Sequence, residues 1–101
     1  MEVLVIITTE SSRANALRMA KLLIQDKIAA CVSIKKIFSI YKWDDDIKET
    51  EEFEITIKSK PEFKDNLIDF INKISKYDVP QIIYKNFHSE MKYYDWINKT
   101  I

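Results

Sequence analysis

The feature that most constrains this chain is a pair of long strand-like runs, residues 29–43 and 47–58, joined through Asp44-Asp45. In the second run Phe53, Ile55 and Ile57 fall on one side, and Glu52, Glu54, Thr56 and Lys58 on the other. That is the period-two pattern of a strand with one buried face. Aspartate tolerates the left-handed backbone angles of a tight hairpin turn better than most residues, which matters because the sequence contains no glycine. Centring the turn on Asp44-Asp45 places Val32 opposite Ile57 and Ile34 opposite Ile55. Apolar meets apolar, so the register is self-consistent.

Such a hairpin outgrows the domain that carries it. A chain of 101 residues makes one domain roughly 30–35 Å across, whereas a strand over residues 30–43 runs roughly 45 Å. The tip, with Ile37, Phe38, Ile40, Tyr41, Trp43 and Ile47, is therefore expected to project beyond the chain's own helices. Large apolar groups on an exposed arm invite aggregation unless something covers them. The expectation is an obligate homo-oligomer joined through the hairpin of residues 30–58. The alternative is a bulged hairpin that folds back on its own sheet.

The rest of the chain supplies the elements around it. Residues 2–8 form a nearly continuous β-branched and apolar run, which reads as a central strand buried on both faces. Ser11 and Ser12 offer a helix N-cap, and Ala16, Leu17, Ala20, Leu23 and Ile24 form one stripe behind them; this helix is expected to end near Asp26-Lys27. Ser59 reads as the cap of a second helix, with Pro61 in its first turn and Phe63, Leu67, Phe70, Ile71 and Ile74 on its buried face. A last strand over 79–88 is entered through Tyr77-Asp78-Val79-Pro80, with proline at the strand start. Ser89 reads as the cap of a C-terminal helix whose Tyr93, Trp96, Ile97 and Ile101 share one face. The order strand, helix, strand, strand, helix, strand, helix predicts an α+β fold. It is the ferredoxin-like split βαβ arrangement, one domain over residues 1–101, with a helix appended.

Composition narrows the function. Lysine plus arginine and aspartate plus glutamate each number 16, so the basic excess that phosphate backbones or anionic membranes require is missing. Neither nucleic acid nor membrane is an expected partner, and no apolar run approaches the roughly 20 residues of a membrane helix. Glycine-loop nucleotide sites are excluded by the lack of glycine. The acidic Glu2, where a secretory leader would be basic, and the lone cysteine point to the cytoplasm.

Cys31 and His88, the only residues of their kinds, are the candidate metal ligands. The thiol suits a soft metal such as copper, although a strand cysteine is more often a small buried hydrophobe. A lone histidine gains ligand value when an oligomer repeats it, although at a strand end it is more often a surface residue. Asp44, Asp45 and Asp46, with Glu49, Glu51 and Glu52 behind them, lack the spacing of a calcium loop and read as a solvated turn. Tyr41, Trp43, Tyr77 and Trp96, with Glu52 and Lys58, could line a pocket between subunits or pack an interface, and the interface reading is preferred. No nucleophile with an adjacent base is visible, so the chain is not expected to be an enzyme.

Several segments, in order, carry a family resemblance. Leu22-Leu-Ile-Gln-Asp-Lys-Ile-Ala-Ala-Cys-Val-Ser-Ile34, Ser39-Ile40-Tyr41-Lys42-Trp43, Glu52, Ile57-Lys58-Ser59, Tyr77-Asp78-Val79-Pro80 and Tyr93-Tyr94-Asp95-Trp96 resemble the helix-to-strand, Ser-x-Tyr-x-Trp, Lys-Thr, Tyr-x-x-Pro and Tyr-x-x-Trp signatures of the CutA family. The resemblance implies a ferredoxin-like homotrimer linked to tolerance of divalent metals such as copper. The chain departs from the family pattern at Ser75-Lys76, where His-Pro is common, at Gln81, where the family has glutamate, and at Asp45, where a glycine is usual. The first two departures remove an imidazole and a carboxylate, both good metal ligands. The alternative is a trimeric small-ligand signalling module of the nitrogen-regulatory type, by analogy of fold.

Overall fold

The computed structural model describes residues 1–101. Along the chain run β1 (Glu2–Glu10), α1 (Arg13–Gln25), β2 (Cys31–Trp43), β3 (Asp46–Ser59), α2 (Lys64–Ile74, led in by a 3-10 turn over Pro61–Phe63), β4 (Ile83–His88) and α3 (Met91–Thr100). The strands form one sheet in the order β2-β3-β1-β4, with every neighbouring pair antiparallel. This is the ferredoxin-like arrangement that the element order predicts. Val32 opposes Ile57 and Ile34 opposes Ile55, in the predicted register. The hairpin turns on Asp44 (φ 50°) and Asp45 (φ 65°), two consecutive left-handed residues whose twist matches that of the strands.

The two faces of the sheet differ. Leu4, Ile6, Ile55 and Ile57 point to one side and pack with Ala16, Met19 and Leu23 of α1 and Leu67 and Ile71 of α2, all fully or almost fully buried. Phe63, Phe70 and Ile74 pack at the margin of this core. On the other side α3 covers one end only, seating Ile97 on Val3 and Ala30 with Ile101 alongside. The rest of that second face is open. Val5 and Ile7 are half-buried, and Ile83 and Phe87 of β4 are exposed. The prediction that β1 is buried on both faces therefore holds in a single chain only at Val3.

Several local expectations need correction. Ser12 does cap α1, its Oγ accepting from the Asn15 N–H at 3.1 Å, but the buried stripe runs through Met19, while Ile24 is exposed. Ser59 caps no helix. It ends β3 fully buried, and its hydroxyl donates to the Ile28 carbonyl at 2.6 Å, tying β3 to the turn after α1. Ser89 likewise caps nothing: its hydroxyl donates to the Glu90 carbonyl, and α3 starts without a side-chain cap. The face predicted for α3 splits, with Ile97 and Ile101 turned inward and Tyr93 and Trp96 exposed. β4 begins at Ile83, opposite Ile7, rather than at residue 79.

The hairpin projects as expected. β1 ends with Glu10 opposite Phe53, so residues 37–43 and 46–52 pair only with each other. This free ribbon is roughly 23 Å long at about 3.3 Å per residue. The molecule accordingly measures 46 × 25 × 22 Å, and the hairpin does not fold back.

Candidate functional site

Where the ribbon leaves the sheet, the connection between α2 and β4 runs alongside it and closes a cleft. Local chemistry explains why the connection lies there. Pro80 has no N–H to give a ladder, and β4 does not join β1 until Ile83. The residues before it therefore pass the end of β1 and lie against the ribbon. The Tyr77 backbone N–H, held by the Ser75 Oγ at 3.2 Å, sets the turn that presents the Tyr77 ring.

The cleft has a volume of about 520 Å³. Strand alternation sends Tyr41, Trp43, Lys48 and Glu52 to the ribbon face away from α1 and α2, and all of them line it. The connection contributes Lys76, Tyr77 and Asp78, and β1 contributes Thr9. Across the cleft the Tyr77 hydroxyl donates to Glu52 Oε1 at 2.8 Å. Burial, then the hydrogen bond to Glu52 and the negative charge of that carboxylate, push the Tyr77 phenol well above its ordinary value of 10.0. It stays a neutral donor and is no nucleophile at physiological pH.

Beneath the connection lies Glu10, only 1% exposed. Its Oε1 accepts from the Lys76 backbone N–H at 3.4 Å, while its Oε2 is buried with no partner, as is Thr8 Oγ1 on the same face of β1. Burial raises the Glu10 carboxyl above 4.5, outweighing the backbone hydrogen bonds from Lys76 and Ser11 and the charges of Lys76 and Arg18. A buried charge with an unsatisfied oxygen costs stability.

Of the six residues expected at an inter-subunit pocket or interface, Tyr41, Trp43, Glu52 and Tyr77 come together within one chain, whereas Lys58 and Trp96 lie elsewhere on it. Lys58 shares a face with Glu52 but lies roughly 20 Å further along β3, beside Cys31. Trp96 stacks on Tyr93 on α3, ring centres 5.7 Å apart. Lys48, Lys76, Asp78 and Glu10 were missed as members of this site. Lys76 and Asp78 bracket Tyr77 in sequence, and that adjacency is the signal that could have found them.

Cys31 and His88 occupy opposite edges of the sheet, on β2 and β4. The register also puts them on opposite faces: Cys31 aligns with Lys58 and Val5, and His88 with Glu2. One chain cannot bring both to one ion. No three His, Cys, Asp or Glu side chains cluster closely enough in the chain to hold a metal.

This fold occurs in known proteins. Residues 4–100 match the family described as CutA1 divalent ion tolerance protein. The chain belongs to the CutA1 family. It is 32% identical over 94 residues to the divalent-cation tolerance protein CutA of Archaeoglobus fulgidus, covering 92% of each chain. It is 28% identical to the chloroplastic Protein CutA of Arabidopsis thaliana, covering 96% of this chain but only 54% of that protein's length. The solved structure of CutA from Synechococcus elongatus superposes with a TM-score of 0.94 at 27% identity, covering 98% of this chain and 89% of that one.

Proposed function

We propose that this chain works as a CutA-like homotrimer in the tolerance of divalent metal ions such as copper, in the cytoplasm and without catalysing a reaction. The observation that carries the reading is the uncovered apolar surface. On the ribbon Phe38 and Ile40 are each 64% exposed and Ile47 is 77% exposed. The open sheet face adds Ile83 and Phe87. A two-stranded ribbon is marginal on its own in water, and a patch of this kind marks an interface. Further copies of the same chain, arranged as a closed ring, would cover ribbon and sheet face together.

Cys31 supports direct metal contact more than His88 does. It is half-buried at the start of β2, on the open face, where a ring would repeat one thiolate in each copy; thiolate favours copper in its reduced form. His88 sits exposed on the helix-bearing side. The non-enzymatic reading is supported by the separation of Cys31 from His88, which leaves neither with a catalytic partner.

Native mass spectra of the purified protein, with and without one equivalent of Cu²⁺ or Zn²⁺ per chain, test this proposal. A trimer that retains metal, and loses it in Cys31→Ser, is the expected result. A trimer that sheds both metals defeats direct binding and moves tolerance to an indirect route; a monomer defeats the whole reading.

A further inference from the structure

We infer that the α2–β4 connection is a proton-sensitive strap, latched over Glu10 while that carboxyl is protonated and loosened when it ionises. The strap is independent of metal tolerance and needs no exposed surface. Glu10 falls on the face of β1 that carries Leu4 and Ile6, the helix-bearing side, whereas the sheet face assigned to neighbouring copies is the opposite one.

Two carboxylates hold the connection, one on each side of the sheet. The Lys76 N–H donates to Glu10 Oε1 at 3.4 Å on the helix-bearing side. One residue later the Tyr77 hydroxyl donates to Glu52 Oε1 at 2.8 Å on the other side, so the chain wraps around the end of β1 between them. The Ser75 Oγ sets this turn by accepting from the Tyr77 N–H at 3.2 Å. Residues 76–82 make no backbone-to-backbone hydrogen bond, because α2 has ended at Ile74 and β4 starts only at Ile83. Their hydrogen bonds are these three alone. A proline at position 76, where the family pattern has one, would have no N–H to give; Lys76 supplies the donor that the buried glutamate accepts.

The latch is sensitive to charge. Glu10 is 1% exposed and its Oε2 has no partner, so ionisation puts a charge under the strap with one oxygen unserved, at a cost in free energy. Lifting the strap lets water reach the carboxylate and removes that cost. Arg18 of α1 and Lys76 of the connection favour the ionised form, as do the backbone N–H groups of Lys76 and Ser11, but burial outweighs them and raises the carboxyl above 4.5. Tyr77, whose phenol feels the Glu10 charge, stays neutral. Lys73, the last charge of α2, is exposed. On β3 the residue opposite Glu10 is Phe53, and Glu51 beyond it is paired with Lys36 at 3.4 Å.

The sign follows from linkage. The latched form holds its proton to higher pH than a lifted form in which Glu10 meets water, so latching is favoured in acid and lost as the pH rises through the raised value. Loosening also frees Tyr77 and its bond to Glu52, which stands at the root of the ribbon opposite Ile37. Proton release at Glu10 is thereby carried to the hairpin.

Amide hydrogen exchange of the purified protein, followed by NMR and corrected for intrinsic exchange at each pH, tests the strap. Protection at Lys76 and Tyr77 is expected to fall between about pH 5 and about pH 8, by about tenfold for each pK unit by which the carboxyl is raised. Amides of α1 should not change, and in Glu10→Gln the strap amides should stay protected throughout. Direct carbon NMR titration of the Glu10 side-chain carboxyl needs no variant, and a midpoint above 4.5 is expected. Glu10 titrating at its ordinary value would overturn the inference. So would protection at Lys76 and Tyr77 that ignores pH, or a fall shared equally by α1 or by Glu10→Gln.

Discussion

Replacing Glu10 by glutamine should stabilise the protein at neutral pH, although Glu10 is buried and accepts a hydrogen bond. The Glu10 carboxylate is 1% exposed, accepts a long bond from the Lys76 N–H at 3.4 Å, and leaves Oε2 without a donor. Glutamine keeps an oxygen for Lys76 and removes the buried charge. Relief of charge burial contributes about 1.4 kcal/mol for each pK unit by which the native carboxyl is raised. A gain in stability at neutral pH is therefore expected, its size set by how far burial raises the carboxyl.

The pH dependence carries the signature. In the unfolded chain Glu10 titrates near 4.5, and in the folded protein above it. Between the two values the native state holds more protons than the unfolded state. The wild type thus gains stability as the pH falls from neutral through the native value, and the gain levels off near 4.5. Glu10→Gln has no such step, so its advantage shrinks on acidification. Urea unfolding followed by far-ultraviolet circular dichroism, at one fixed protein concentration because assembly contributes to stability, reads both effects. A variant less stable than wild type at neutral pH, or an advantage that does not shrink in mild acid, would refute the reasoning.

Other substitutions probe the remaining features. Tyr77→Phe removes the 2.8 Å bond to half-buried Glu52 and should cost about 1 kcal/mol in urea unfolding. In the wild type an ultraviolet alkaline titration should show one tyrosine resisting ionisation near 10.0, with stability lost as the pH rises beyond that unfolded-state value. Ser59→Ala strands the Ile28 carbonyl that the buried Ser59 hydroxyl now serves, and a loss of about 1–3 kcal/mol is expected; an unchanged midpoint would show that the bond is dispensable. Phe38→Asp combined with Ile47→Lys places charges on the ribbon where a partner is proposed, and should lower the assembly state in size-exclusion chromatography while leaving the circular dichroism spectrum folded.

Much of the fold could be read from local pattern because that pattern and the packing agree. The alternation of Phe53, Ile55 and Ile57 alone established the β2–β3 register, and two aspartates marked the turn. What eluded the sequence depended on contacts distant along the chain. Ser59 has the look of a helix cap, since a serine before Pro61 usually is one, yet its hydroxyl turns back to Ile28, which no local window reveals. Glu10 lies beyond the run of residues 2–8 read as the first strand, and its burial depends on the distant α2–β4 connection, whose Lys76 N–H it accepts. Lys58 and Trp96, read as part of a pocket or interface between subunits, lie apart from the cleft within one chain: strand rise carries Lys58 far from Glu52, and Trp96 stacks on Tyr93. The projecting ribbon was foreseeable by arithmetic, because the strands are longer than one domain can cover.

The central claim is that the ribbon is buried in a ring of three chains, and sedimentation equilibrium of the purified protein at micromolar concentration tests it most directly. The account predicts a single species with three times the mass of the chain, unchanged on moderate dilution. A well-folded monomer at that concentration, with Phe38, Ile40 and Ile47 left in water, would contradict it.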